Sequence, residues 1–460
     1  MRVERIVFVS LAGNQAQFFA RVALQLAPRG ISAAVVSYHQ PSNDATRATG
    51  IACIDGYEHF RKPPADGELG GALASMGYEM PTRAVSHERM AYELPDAVPL
   101  LRKLWQCTDS SRSIVSQEQS SHAGRVAVVQ ELGGFCPVLG MLRASALCGV
   151  SNTFLEPSFF RGRLFFTDDT LASPVPEREA DSAELADASA YLESARASAL
   201  AVVPDKDVSH YRQPWRKLFD ARNAGRLIEK LVAKHVRGQR EEFEHVGGHV
   251  RRHLRMALGA QRLHSKRTNM LPDRFVYFPL HVPADVALTL RSPAFVDQLA
   301  VVDYLARTVP PGFQVVIKEH PAQVGAVRPQ ALMELMLRHA NVTYLAPTIG
   351  NYAVVERASA IVTICSKAGA EALLVGKPVI VLGDAFYREA PGAFAGSSLA
   401  DLDRLLPGAL AANAPRREST MRFFGAVWAR SRPGEIYGQA AAHTSEFADS
   451  LIAHLSRSET

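Results

Sequence analysis

The sequence predicts an α/β protein of two doubly wound domains, and three observations carry that prediction. At 460 residues the chain exceeds what one ordinary hydrophobic core holds. Short β-branched runs alternate with longer amphipathic stretches, the pattern of a parallel sheet covered by helices. In the second half the strand candidates are near-continuous apolar runs, as required where helices cover both faces of a sheet.

Element by element, Ile6 to Leu11 reads as a first buried strand, and Gly13-Asn14-Gln15 turns into a helix reaching about Leu26. Ile31 to Tyr38 is a second strand, closed by the loop Pro41-Ser42-Asn43-Asp44, and the unit is Rossmann-like. Arg125 to Gln130 reads as a strand, Gly133 to Cys148 as a helix, and Ser151 to Leu155 as a strand ending at Glu156-Pro157. The chain then turns acidic and Ala/Ser-rich from Pro174 to Leu200, and basic and helix-compatible after Pro204. From Arg274 the α/β pattern resumes, with strands at Phe275 to Leu280, Gln314 to Lys318, Asn341 to Leu345, Ala360 to Cys365 and Pro378 to Leu382. The expected boundaries are 1–205 for a first Rossmann-like domain, 206–272 for a basic helical connection, 273–425 for a second Rossmann-like domain and 426–460 for a helical tail. Two such domains facing each other make a cleft, and ligands are expected beyond the carboxyl ends of the strands.

Composition narrows the class. Apolar residues at 47% and charged residues at 21% exclude wholesale disorder and a fibrous repeat. The basic start Met1-Arg2 leads into a short apolar run without a small-residue cleavage pattern, which reads as a strand and not a signal peptide. No segment approaches the roughly 20 apolar residues that span a bilayer, so a cytoplasmic protein is expected, one that meets a membrane only from its surface. Five cysteines without a CxxC pair read as reduced packing thiols. The net charge is +5, and basic residues crowd between Arg212 and Arg267. That crowding reads either as a solvated helical face or as an electrostatic dock for anionic inner-membrane lipid or an acidic glycan. No nucleic-acid motif accompanies it, so nucleic acid is not an expected partner.

The unusual residues fall just after the strands. Lys318-Glu319-His320-Pro321 sets three ionisable groups at a strand end, where a phosphate suits them. Ser366-Lys367-Ala368-Gly369-Ala370-Glu371 joins a hydroxyl to a helix N-terminus, whose free N–H groups and positive dipole end attract anions. Ser366 also reads as a plain N-cap. Glu371, in the second turn, reads either as a ligand to a ribose or base hydroxyl or as a surface carboxylate. Gly383 ends the strand Pro378 to Leu382 and allows close backbone approach to a ligand, with Tyr387 in the loop beyond. Asp285 follows Phe278-Pro279-Leu280-His281-Val282-Pro283-Ala284 and reads as a turn-former or as a catalytic carboxylate. In the first half, Glu131 and Glu156 are strand-end carboxylates suited to a general base or to an acceptor hydroxyl, with Arg161 and Arg163 nearby for a carboxylate or phosphate and Asn14 at the first helix. Asp168-Asp169 reads as a turn, and no DxD metal motif stands at a strand end of the second domain, so no metal or other cofactor is expected.

Taken in order, Phe278-Pro279-Leu280-His281-Val282-Pro283-Ala284-Asp285, Lys318-Glu319-His320-Pro321, Ser366-Lys367-Ala368-Gly369-Ala370-Glu371-Ala372, Gly376-Lys377-Pro378-Val379-Ile380-Val381-Leu382-Gly383 and Tyr387 closely resemble the capsule polysaccharide synthesis family of retaining β-Kdo transferases. The resemblance spans about Phe275 to Tyr387 and is looser in the first half, at Phe154-Leu155-Glu156-Pro157 and Phe160-Arg161. It implies a GT-B-like fold with an acceptor-side domain first and a nucleotide-sugar domain second. It implies CMP-Kdo as donor and a glycan or glycolipid acceptor in capsule or O-antigen synthesis. It implies catalytic roles for Asp285 as nucleophile, Glu156 assisting the acceptor and His320 at the phosphate, with Lys318, Pro321, Ser366, Lys367 and Glu371 completing the nucleotide site. Glu131, Arg161, Arg163, Asn14 and Tyr387 are the acceptor or sugar candidates. Two positions depart from the family: its common glutamine before the catalytic loop is His281 here, and Glu156-Pro157-Ser158 replaces an acidic residue followed by glycine. Competing readings are a transferase for another CMP-linked acidic sugar of the sialic-acid type, a non-catalytic glycan-assembly subunit, and a nucleotide-sugar epimerase or hydrolase.

Overall fold

The computed structural model describes residues 3–197, 221–243, 245–438 and 440–457. Residues 198–220, which contain the end of the expected first domain and the start of the expected connection with Arg212, lie outside the described residues. Among the described residues the strands are β1 (Val3–Ser10), β2 (Ser32–Ser37), β3 (Ala52–Asp55), β4 (Arg125–Glu131), β5 (Ser151–Pro157), β6 (Arg163–Asp168), β7 (Phe275–Pro279), β8 (Gln314–Lys318), β9 (Val342–Leu345), β10 (Ala360–Thr363), β11 (Val379–Val381), β12 (Ala393–Ala395) and β13 (Arg432–Pro433). They form two sheets, in two compact units.

The first unit takes the described residues of Met1–Leu171, Ala221–His249 and Ser431–Thr460. Its seven strands run in the order β13-β6-β5-β4-β1-β2-β3, parallel from β5 to β3 and antiparallel at β6 and β13. β1 sits centrally because Ile6, Val7 and Phe8 are all fully buried, and such residues need helices on both sheet faces. Helix Gly13–Leu26 lies against it, Phe19 stacked on Phe8 at 4.7 Å between ring centroids. The outer side of that helix is closed by helix Ala441–Leu455, where Phe447 meets Phe18 edge-on at 5.1 Å.

The second unit takes the described residues of Ala172–Asp220 and Val250–Arg430. Its six strands are all parallel in the order β12-β11-β10-β7-β8-β9, which counted from β7 is the 3-2-1-4-5-6 order of a dinucleotide-binding fold. Val315, Val316 and Ile317 of β8 are fully buried, as are Ile361 and Val362 of β10.

These units correct the expected boundaries. Residues 172–197 belong with the second unit, because helix Ser182–Ala197 packs on helix Arg417–Arg430, with Tyr191 5.9 Å from Trp428. Among the described residues the connection is no separate element: Gln40 and Arg240 exchange hydrogen bonds of 3.0 and 2.7 Å, which joins the chain around Arg240 to the first unit. The expected tail from 426 is divided too, since Ser431 onward supplies β13 and a covering helix to the first unit. No helix among the described residues is long and apolar enough to cross a membrane. All five cysteines are unpaired thiols, Cys107 and Cys136 fully inside.

Candidate functional site

In each unit the strand order reverses at the neighbours of the central strand, so crevices open between the ends of β7 and β10 and between the ends of β1 and β4. The second unit's crevice is bridged by His281. Its Nε2 accepts the Cys365 N–H at 3.1 Å, while the backbone N–H of His281 donates to Gln298 Oε1 at 2.6 Å. Burial, and then the neighbouring His320, push this imidazole down to about 4, so it is neutral at physiological pH. His281 therefore ties the end of β7 to the loop after β10.

Lys318 ends β8 with its ammonium donating to the Ile349 carbonyl at 2.8 Å; burial lowers it to about 8, against the pull of Glu371. Glu371 is buried, not a surface carboxylate. Burial raises it to about 6, opposed by Asn351, which donates to it, and by Lys318 and Lys367. Asn351 is itself oriented by the Tyr277 hydroxyl of β7 at 3.0 Å. A lysine, a carboxylate and an amide thus stand together beside the helix that begins at Lys367.

His320 caps the short turn Pro321–Gln323, its Nδ1 accepting the Ala322 N–H at 3.3 Å, which leaves the hydrogen on Nε2. Ser366 is the N-cap of helix Lys367–Leu374 and accepts the Ala368 N–H at 3.2 Å; a hydroxyl that accepts there still carries a hydrogen to donate. Lys367 is half-buried in the first turn. Asp285 is exposed after β7, where Oδ1 accepts the Ala287 N–H at 2.9 Å, so the turn-forming reading of this residue is realised.

Three expectations are corrected here. Tyr387 is fully buried and donates its hydroxyl to the Ser366 carbonyl, so it supports the loop and does not line a sugar site. Gly383 makes its close approach to protein: a Cβ there would lie 2.3 Å from Ser292 Oγ and 2.7 Å from Ile364 Cγ2. Glu319 turns inward, accepting from the Gly325 and Val327 N–H groups at 3.0 and 3.2 Å and from Arg267 and Tyr344. Gly369 faces Tyr387, whose Oη would be 2.5 Å from an added Cβ. Gly369→Ala is therefore expected to cost about 1–3 kcal/mol by overpacking, measured by thermal unfolding.

In the first unit, Glu131 ends β4 and Glu156 lies near the end of β5, opposite Phe165 of β6. Asn14 is exposed, and the next residue, Gln15, is the one that reaches Glu131, at 3.1 Å. Arg163 is committed to the protein, its guanidinium donating to Ser431 Oγ at 2.8 Å and to the Ser431 carbonyl at 2.6 Å, while Arg161 is exposed in the β5–β6 turn. Asp169 does sit in a left-handed turn at φ 56°, but Asp168 pairs with His454 at 3.0 Å. Among the described residues no group of three or more His, Cys, Asp or Glu side chains is arranged to hold a metal ion.

Two Rossmann-like units in one chain, with a cationic and hydroxyl-bearing cluster at the strand ends of the second, define a doubly wound α/β fold. Residues 217–401 match the family described as "Capsule polysaccharide biosynthesis protein". Protein FixF of Sinorhizobium fredii is 33% identical over 160 residues, a stretch that spans 34% of this chain and 38% of that relative's length. Among solved structures, the chain is similar to the Thermosulfurimonas dismutans KpsC beta Kdo 2,7 transferase, with 17% identity, a TM-score of 0.32, and coverage of 68% of this chain and 79% of that one. It is also similar to UDP-GlcNAc 2-epimerase from Neisseria meningitidis, with 12% identity, a TM-score of 0.28, and coverage of 99% and 100%.

Proposed function

We propose that the protein is a glycosyltransferase that moves Kdo from CMP-Kdo to a glycan or glycolipid acceptor in surface-polysaccharide synthesis, with net retention. The observation that carries the reading is the cluster of Lys318, His320, the Ser366-capped helix and Glu371 at the strand ends of the second unit, inside the segment that matches the capsule family. Lys318, His320 and the helix N-terminus suit an anionic phosphate, and Glu371 with Asn351 suits the hydroxyl and amino groups of a nucleoside.

In the proposed reaction an Asp285 carboxylate oxygen attacks the anomeric carbon of the donor. The bond from that carbon to the phosphate oxygen breaks, and CMP leaves with the electron pair, stabilised by His320 and Ser366. The acceptor oxygen then forms its bond to the same carbon while the Asp285 ester bond breaks, and Glu156 takes the acceptor's proton. Two inversions give retention. The proposal uses no metal, and it has the protein work in the cytoplasm, at the inner membrane where the acceptor is a glycolipid.

The test is calorimetric titration with CMP, UDP, GDP and ADP without added metal. CMP is expected to bind preferentially, and His320→Ala to weaken it about tenfold or more, the loss of one hydrogen bond to a charged phosphate. Preference for UDP would discard the Kdo donor, CMP preference without Kdo turnover would favour a sialic-acid-type donor, and no nucleotide binding would favour a non-catalytic assembly subunit.

A further inference from the structure

Glu131, at the end of β4, is held by side chains from opposite ends of the chain. Gln15, in the first turn after β1, donates to Glu131 Oε2 at 3.1 Å, and its own Oε1 is fixed by the Leu11 N–H at 2.6 Å. Tyr437 donates its hydroxyl to the same Oε2. Gln15 and Tyr437 together fix the orientation of this carboxylate. Tyr437 achieves this from a left-handed backbone, φ 71°, with its ring edge-on to Phe18 at 5.9 Å. That region suits glycine or asparagine and strains an aromatic residue, so a simple turn would not select tyrosine.

The three residues meet at the β1/β4 crevice, the first unit's own strand-order reversal, where open α/β sheets bind ligands. We infer that Glu131 accepts a hydrogen bond from a hydroxyl of the acceptor sugar in this crevice, with Gln15 and Tyr437 as the residues that position it. The inference rests on the transferase reading and deepens it, giving the acceptor a carboxylate apart from Glu156.

The test uses the full chain, CMP-Kdo as donor, and methyl glycosides of Kdo and of neutral hexoses as acceptor probes. Tyr437→Phe removes one hydroxyl and is expected to raise acceptor KM about tenfold, with a smaller change in kcat, while CMP affinity and Tm stay at wild-type values. Glu131→Gln is expected to abolish glycoside binding seen by saturation-transfer NMR, a readout that needs no turnover. A fall in Tm with acceptor KM unchanged would make Tyr437 merely structural and overturn the inference. Equal glycoside binding by wild type and Glu131→Gln, or none by either, would overturn it alone if CMP still binds. Loss of CMP binding in the wild type would remove the transferase reading and this inference with it.

Discussion

Lys103→Met is expected to destabilise the first unit by about 3–5 kcal/mol near pH 7, the cost of leaving buried charge uncompensated. Lys103, on helix Val98–Ser121, donates to Glu88 Oε1 at 2.7 Å and to Glu242 Oε1 at 2.6 Å, and both glutamate side chains are fully buried. Glu88 also accepts the Cys136 N–H at 2.9 Å. Burial would raise the Glu88 carboxyl, but Lys103 and that N–H hold it below its ordinary value. In the wild type Glu88 therefore contributes stability above its unfolded value of 4.5, lost as pH falls through the lower folded value. Without Lys103, only the Cys136 N–H still opposes burial at Glu88, its folded value rises, and the sign reverses: stability falls as pH rises. Urea unfolding at pH 7 and pH 5 checks both statements. A loss under about 1 kcal/mol at both values would show that the triad does not lock the fold.

Asp285→Asn is expected to cut transfer about 10³-fold or more while leaving CMP affinity and Tm unchanged. Asparagine keeps an Oδ1 to accept the Ala287 N–H, so the turn survives and only the nucleophile is lost. The measurement is the initial rate with saturating donor and acceptor, paired with CMP calorimetry on the same preparation. Turnover within tenfold of wild type would move the nucleophile elsewhere.

What was legible in the sequence was what local pattern carries. β7 and β8 match their expected spans to within a residue because Val276 to Phe278 and Val315 to Ile317 are buried on both sheet faces and read as unbroken apolar runs. β3, β12 and β13 leave too short a pattern to read, being edge strands of two to four residues. Helix Val98–Ser121 is hard to read because Thr108, Ser110 and Ser111, satisfied by bonds such as Ser110 to the Gly56 carbonyl, interrupt its apolar stripe of Leu100, Leu104, Cys107, Ile114 and Val115. The cluster of Lys318, His320, Ser366 and Glu371 was legible because strand ends concentrate odd residues. Gln15 had a signal, a polar residue on the apolar face of Ala16 and Phe19, but Tyr437 and the Lys103 triad had none, since their partners lie tens to hundreds of residues away. Tyr387 and Arg163 had the right chemistry and were spent on the protein itself.

The way the chain returns to its beginning also governs how the molecule is born. Phe447 covers Phe18 and packs on Phe166, so the apolar side of the helix that follows β1 stays open to water until helix Ala441–Leu455 has been made. The second unit has all its segments once Arg430 is made. Maturation therefore runs against synthesis: the half translated first is completed last, and in the interval the nascent chain offers a greasy helix to any chaperone that grips exposed aromatic surface.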